Sequence, residues 1–127
     1  MKVVLIDDTR TLLSLIQIYL MGWGLEFIEA HDGRAGLARI REHRPALVLS
    51  DVKMPEMDGF QVCAAVRADP VLKDTPLVLL TSLDDEASRA KGRLVGATAF
   101  LTKPVTVAAL RRTVADVLGL PEPPPRS

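Results

Sequence analysis

The feature that most constrains the fold of this chain is the regular alternation of short apolar runs with segments of helical periodicity. Near-continuous apolar runs occupy residues 3–6, 46–49 and 77–80, a pattern typical of strands that are covered on both faces of a parallel sheet. Residues 25–30 form a more mixed run that fits an edge strand, and residues 98–101 supply a shorter fifth strand. Because a helical pattern follows each run, the order is strand then helix throughout.

Apolar residues at helical spacing mark the segments after the strands, most clearly in the last one, with Val107, Leu110, Val114 and Val117. The fourth segment, residues 84–94, has the weakest pattern, so we expect it to be loosely held. Its apolar face consists mostly of Ala87, Ala90 and Leu94. Strict alternation predicts one α/β domain over residues 1–120, with a parallel sheet between two layers of helices. The proline-rich residues 121–127 are expected to form a tail or the start of a linker.

The balance of charge limits the classes of partner. The chain has 16 basic and 16 acidic residues and no net charge at pH 7, which argues against direct binding to nucleic acid or to an anionic membrane. No apolar stretch is long enough for a membrane span or a signal sequence, so we expect a cytoplasmic protein. Cys63 is the single cysteine, which excludes an intrachain disulfide and fits a small buried hydrophobic residue.

Polar side chains gather where the predicted strands end. In chain order these residues are Asp7, Asp8, Asp51, Thr81 and Lys103. Ligands of open α/β sheets bind outside the carboxyl ends of the strands. We therefore expect the carboxylates, the hydroxyl and the ammonium group to converge at that edge.

The clustered carboxylates predict a cation and a phosphate at this edge of the sheet. Adjacent carboxylates repel one another, and Mg²⁺ together with Lys103 would offset that repulsion. Mg²⁺ prefers oxygen ligands and is usually held by one or two carboxylates plus phosphate oxygens. His31 and His43 lie in other segments and are expected at the surface, which argues against a zinc site.

A carboxylate can itself attack phosphorus while a metal ion and a lysine hold the phosphoryl oxygens. Asp51, at the centre of the predicted cluster, is the candidate nucleophile. The chain has no glycine-rich phosphate-binding loop of the nucleotide-binding kinds. The phosphoryl donor is therefore expected to be a phosphorylated partner.

Four motifs surround these residues: 6–8 (IDD), 49–59 (LSDVKMPEMDG), 80–82 (LTS) and 100–104 (FLTKP). In order and spacing they resemble the receiver domain of bacterial two-component response regulators, and in particular the single-domain, chemotaxis-type regulators. The resemblance covers nearly the whole chain. It implies a flavodoxin-like fold, with five parallel strands in the order 2-1-3-4-5 doubly wound with five helices.

The resemblance implies that Asp51 accepts a phosphoryl group from the phosphohistidine of a sensor kinase or a phosphotransfer protein. Lys103 would bind the phosphoryl oxygens, and a cis peptide bond between Lys103 and Pro104 is expected. The chain would assist its own phosphorylation and dephosphorylation without being an enzyme in the usual sense. Mg²⁺ would be held by Asp7, Asp8, Asp51 and the backbone carbonyl of Lys53.

By the same resemblance, Thr81 and Phe100 would form a two-state switch. Thr81 would hydrogen-bond the new phosphate, and Phe100 would move into the vacated space. This would change the face built from the fourth helix, the fifth strand and the fifth helix. An output protein, which the sequence does not identify, would bind there, and the chain would be a monomer or a phosphorylation-dependent dimer. The candidate face includes Ala87, Lys91, Val95, Ala99, Phe100 and Arg112.

Other classes of function stay open. A receiver-like interaction module could act without phosphorylation, although such members usually lack part of the acidic set that is present here. A phosphatase with an aspartate nucleophile would need a second acid two residues later, where this chain has Lys53. Flavin binding would need aromatic platforms, and the chain has only one tryptophan, one tyrosine and three phenylalanines.

The remaining features are interpreted as structural or as affecting the rate of dephosphorylation. Residues 54–59 are predicted to form a turn that shapes the loop beside the nucleophile, and residues 32–33 a second turn. By resemblance, Lys53 and Leu83 flank the path of attacking water, and the apolar Leu83 predicts slow self-dephosphorylation. Solvated faces are expected for Arg39, Arg41, Arg44 and Arg67.

Overall fold

The computed structural model describes residues 1–82 and 85–121. Within these ranges five strands alternate with five helices, as the sequence predicts. The strands are β1 (Lys2–Ile6), β2 (Glu26–Ala30), β3 (Leu47–Asp51), β4 (Leu77–Thr81) and β5 (Ala99–Thr102). The helices are α1 (Arg10–Tyr19), α2 (Gly33–His43), α3 (Gly59–Ala68), α4 (Glu86–Leu94) and α5 (Val107–Leu118).

The strands form one parallel sheet in the order β2-β1-β3-β4-β5. This confirms the doubly wound, flavodoxin-like fold and places the mixed run of β2 at an edge. Every residue of β3 and β4 is buried, in keeping with their near-continuous apolar sequences. Because all the strands run in one direction, their carboxyl ends lie along one edge of the sheet.

Successive residues of each strand point to opposite faces of the sheet and so feed two hydrophobic layers. Val3 and Leu5 of β1 belong to a cluster with buried residues of α1 and α5. Val4 and Ile6 belong to a second cluster with buried residues of α2 and α3. A single strand therefore anchors both layers, and this fixes where its carboxyl end lies.

Helix α4 is held differently from the other helices. Gly92 is the one residue of α4 that is buried. The predicted apolar face does not pack on the sheet: Ala87 and Ala90 are exposed, and Leu94 is 86% exposed. The helix instead turns its glycine towards β5, where a Cβ on Gly92 would stand 3.0 Å from the Phe100 ring. Alanine side chains gain little from burial, so close approach at the glycine decides which face turns inward.

The structure also tests the predictions for residues 32–33 and for Cys63. Residues 32–33 begin a helix and do not form a separate turn, because the Asp32 side chain accepts the N–H of Ala35 at 2.7 Å as the N-cap of α2. Cys63 is fully buried, as expected, and its thiol donates to the Val95 carbonyl at 3.3 Å. Burial also raises the pKa of this thiol.

Other expectations concern residues outside the described part. Leu83, Asp84 and, after Pro121, the predicted proline-rich tail lie there. In the described part, the helices are all too short or too polar to cross a lipid bilayer.

Candidate functional site

The candidate site lies at the edge of the sheet where the strands end. Asp7 follows β1, Asp51 and Thr81 are the last residues of β3 and β4, and Lys103 follows β5. Thr81 is paired with Thr102 in the register of β4 and β5. The next N–H, that of Lys103, donates to the Thr81 carbonyl at 2.7 Å. Strand pairing therefore sets where these side chains leave the sheet.

Three carboxylates meet at this edge. Oxygen atoms of Asp7, Asp8 and Asp51 lie within 4.8 Å of one another. Asp7 and Asp51 are only 1% and 6% exposed, whereas Asp8 is exposed. Asp7 is oriented by the N–H of Thr9, which donates to its Oδ1 at 2.7 Å. The result is a set of oxygen ligands that solvent can reach beside Asp8.

Lys103 joins two of these carboxylates. Its Nζ lies 3.0 Å from Asp51 Oδ1 and 3.3 Å from Asp7 Oδ2. The peptide bond between Lys103 and Pro104 is cis, as expected. Burial alone would lower the pKa of Lys103, but its hydrogen bonds and charge interactions with Asp51 and Asp7 outweigh burial and raise it. The ammonium group therefore stays charged.

Asp51 is held at one oxygen. The Val52 N–H donates to Oδ1 at 2.9 Å, and Lys103 contacts the same atom. Among the described residues, none donates a hydrogen bond to Oδ2. Burial and the nearby charge of Asp7 raise the pKa of Asp51, and the hydrogen bond from Lys103 opposes them only in part. The carboxylate is thus oriented, weakly solvated and close to a cation.

The loop after β3 is pinned to the strand by a glycine. The N–H of Gly59 donates to the Val52 carbonyl at 2.9 Å. A Cβ on Gly59 would stand 2.3 Å from the Asp51 carbonyl oxygen, a separation that backbone atoms cannot accept. The next helix, α3, begins with a capping box between Asp58 and Gln61. The predicted turn therefore brings α3 directly against the backbone of Asp51.

Lys53 and the residues that follow it line a groove. Lys53 is exposed and comes two residues after Asp51. The groove measures about 670 Å³ and runs between the loop after β3 and α4, with Met54, Phe60 and Lys91 among its lining residues. The Lys91 ammonium lies 4.9 Å from the centre of the Phe60 ring. This groove borders the candidate site on the α4 side.

The two residues expected to form a switch lie at different depths. Thr81 is only 1% exposed and adjoins the carboxylate edge. Phe100 is half-buried on β5 and lies next to α4. The Arg89 guanidinium of α4 lies over its ring, 5.5 Å from the ring centre. Helix α4 therefore touches the aromatic residue directly.

Arg67 is more than the solvated side chain that the sequence predicts. Its guanidinium donates to the carbonyls of Gly96, Lys73 and Thr75 at 2.9, 2.9 and 2.6 Å. It also reaches the Thr98 hydroxyl at 3.3 Å. These acceptors lie in two separate loops, one that follows α3 and one that precedes β5. In the sequence, this role is indicated only by the position of Arg67 in the helical pattern, next to the inward-facing Val66.

Comparisons with known proteins agree with the geometry. Residues 3–115 match the family model of the response regulator receiver domain. Protein PilG of Pseudomonas aeruginosa is 38% identical over 104 residues, which cover 82% of this chain and 77% of PilG. Response regulator PleD of Caulobacter vibrioides is also 38% identical over 104 residues, 82% of this chain but 23% of PleD.

Solved structures give the same result. The structure of chemotaxis protein CheY4 of Vibrio cholerae superimposes with a TM-score of 0.85 and 36% sequence identity, covering 92% of this chain and 98% of CheY4. This chain belongs to the response regulator receiver domain family of two-component signalling.

Proposed function

We propose that this chain is a phosphoacceptor in which Asp51 takes a phosphoryl group from the phosphohistidine of a sensor kinase or a phosphotransfer protein. The observation that carries the proposal is the way in which the Asp51 carboxylate is held. Its Oδ1 is held by Lys103 and by the Val52 N–H, which leaves Oδ2 without a donor among the described residues. A buried, oriented carboxylate with one uncommitted oxygen is suited to attack phosphorus.

In the transfer step an Asp51 oxygen forms a P–O bond while the P–N bond to the donor imidazole breaks. The electron pair of the broken bond goes to the imidazole, which leaves as neutral histidine because its other ring nitrogen carries a proton. Lys103, 3.0 Å from Asp51, would bind the oxygens of the transferred group and offset their charge. The same ammonium favours the charged form of Asp51 that the attack requires.

The residues at the edge fit a magnesium ion. Asp7, Asp8 and Asp51 are oxygen donors close together, and their combined charge exceeds that of Lys103, so a divalent cation would be stabilised here. The backbone carbonyl of Lys53 would complete the protein ligands. When bound, Mg²⁺ neutralises charge on the phosphoryl oxygens.

Thr81 and Phe100 would pass the change to the surface. Thr81 adjoins Asp51 through strand pairing, since Leu80 is paired with Asp51, and its hydroxyl would donate to the new phosphate. Phe100 would then move, and the face of α4, β5 and α5 would bind an output protein. We place this switch in the cytoplasm, in a monomer or a phosphorylation-dependent dimer.

The test is the intact mass of the protein after incubation with acetyl phosphate and Mg²⁺. The expected product is heavier by one phosphoryl group, about 80 Da, and it should be absent when Mg²⁺ is chelated. Asp51→Asn should abolish the adduct. Asp116→Asn, which changes an exposed aspartate of α5, should leave the adduct unchanged.

Two results would overturn the proposal. One is an adduct that persists in Asp51→Asn, which would place the phosphoryl group on another residue. The other is a wild-type protein that gains no mass from acetyl phosphate or from a phosphorylated kinase under conditions in which a known receiver is labelled. That second result would favour an interaction module that acts without phosphorylation.

A further inference from the structure

Helix α4 depends on contacts other than buried apolar side chains. Its one buried residue is Gly92, and its apolar residue Leu94 is 86% exposed. Burial of apolar area is the usual source of helix docking energy. Whatever holds this helix to the sheet must therefore include its polar side chains.

Arg89 contacts β5 at two residues. Its guanidinium carbon lies 5.5 Å from the centre of the Phe100 ring, within the range of a cation–π interaction. One of its terminal nitrogens donates to the Thr102 hydroxyl at 3.2 Å. Phe100 and Thr102 are two residues apart on one strand, so their side chains share the face that α4 covers.

The Phe100 ring is bounded by two residues of the same helix. Arg89 lies over the ring, and three residues later Gly92 brings the helix backbone close to its edge. A Cβ on Gly92 would stand 3.0 Å from Cδ2 of Phe100 and 3.4 Å from Cε2. Residues three apart lie on one side of a helix, so α4 holds the ring at both points together.

The other end of this region is anchored by hydrogen bonds of the Arg67 and Thr98 side chains. Arg67 donates to the Gly96 carbonyl, just after α4, and to the Thr98 hydroxyl, just before β5. The Thr98 hydroxyl in turn accepts the N–H of Leu77 at 3.0 Å. Fixed at that end, α4 and β5 can change their relation most easily at the end that holds Arg89.

We infer that Arg89 is a positioning residue that holds Phe100 and Thr102 against α4 in the unphosphorylated protein. Through them it sets how readily the α4 and β5 face changes. The contact stabilises the resting arrangement, and the face changes when this contact is lost. The effect on phosphorylation rests on the proposed function of Asp51, whereas the hold on Phe100 does not.

The hold on Phe100 is tested first in the protein without phosphoryl donor. Because the chain has three phenylalanines, labelling with 4-fluorophenylalanine gives three ¹⁹F resonances, and Phe100→Leu identifies the one of interest. The shift of that resonance between H₂O and D₂O reports exposure of the ring. Arg89→Gln should raise this solvent shift, and Arg89→Lys should restore part of the difference because a cation again faces the ring.

Arg93→Gln is the matched control. Arg93 lies one turn further along α4 and is 67% exposed, with Glu86 as its partner at 3.0 Å. It should leave the solvent shift of Phe100 at the wild-type value. Equal shifts in Arg89→Gln and Arg93→Gln would overturn the inference, as would an Arg89→Lys protein no closer to wild type than Arg89→Gln.

The second arm measures the initial rate of phosphorylation by acetyl phosphate with Mg²⁺. Loss of the cation–π contact should speed the reaction about two- to fivefold in Arg89→Gln, with no change in Arg93→Gln. An unchanged rate in Arg89→Gln beside a phosphorylated wild type would contradict the effect on the switch. Failure of every protein to gain a phosphoryl group would instead contradict the role of Asp51, and the ¹⁹F result would still decide what Arg89 does.

Discussion

The segment that carries Asp51 and the helix that covers Phe100 are held in opposite ways. From β3 into α3 the chain is fixed by main-chain contacts: all of β3 is buried, and the Gly59 N–H donates to the Val52 carbonyl at 2.9 Å. Helix α4 buries one glycine and meets β5 through Arg89. The first segment resists any change in shape, whereas the second can change at low cost.

This difference separates the chemistry from the response. A nucleophile must be held within about 0.5 Å of its working position, which only close packing and backbone hydrogen bonds provide. A surface that signals must have two arrangements of similar free energy. The proposed function assigns the reaction to the fixed segment and the output to the adjustable one.

The largest effect is expected where a side chain is added to the fixed segment. Gly59→Ala would place a Cβ 2.3 Å from the Asp51 carbonyl oxygen, so either β3 or α3 must move. We expect a loss of about 3 kcal/mol in the free energy of unfolding, measured by urea denaturation, together with slower phosphorylation. A loss below about 1 kcal/mol would show that this segment is not rigid.

The second-largest loss of stability is expected when the ammonium group of Lys103 is removed. Lys103→Met leaves the buried carboxylates of Asp7 and Asp51 without their shared cation. In Mg²⁺-free buffer at pH 7 we expect a loss of about 2 kcal/mol, and the loss should shrink as falling pH protonates Asp51, whose pKa is raised by burial. Lys73→Met, at an exposed lysine, is the control in the same denaturation series. Equal stability of the two variants at pH 7 would argue against a coupled site.

Asp51→Asn should raise the free energy of unfolding, whereas Lys103→Met should lower it. Burial raises the pKa of Asp51 in the folded protein, so the neutral form gives stability that is lost as pH rises through that raised pKa. At pH 7 without Mg²⁺, the variant should therefore be more stable than wild type by about 1 kcal/mol. The difference should vanish as pH falls to the ordinary range for an aspartate. A variant less stable than wild type at pH 7 would mean that Lys103 outweighs burial.

The smallest change in stability is expected in α4. Gly92→Ala gains about 1 kcal/mol of helix propensity but crowds the Phe100 ring, which stands 3.0 Å from the new Cβ. Since a ring can shift where a backbone cannot, the net change should stay within about 0.5 kcal/mol. The exposure of Phe100 should nevertheless rise, as ¹⁹F solvent shifts would report. A loss as large as that of Gly59→Ala would erase the contrast between the two segments.

The sequence predicted the parts of the molecule that follow from local pattern. Strand order, the edge position of β2 and the polar residues at the strand ends came from apolar runs and a family resemblance. The inward face of α4 was not predicted, because backbone approach at Gly92 outweighs the small apolar side chains. Arg67 was also missed, since its carbonyl acceptors in two loops exist only once the chain has folded.

The most direct test of this account is hydrogen exchange of the wild-type protein before and after phosphorylation, with the intact mass of each sample confirming the adduct. Exchange should change in peptides that cover 86–102, and the peptides from 47–68 should keep their slow exchange apart from the modified residue. A phosphorylated protein whose exchange changes most in 47–68, or changes nowhere, would contradict the separation of a fixed reaction site from an adjustable output face.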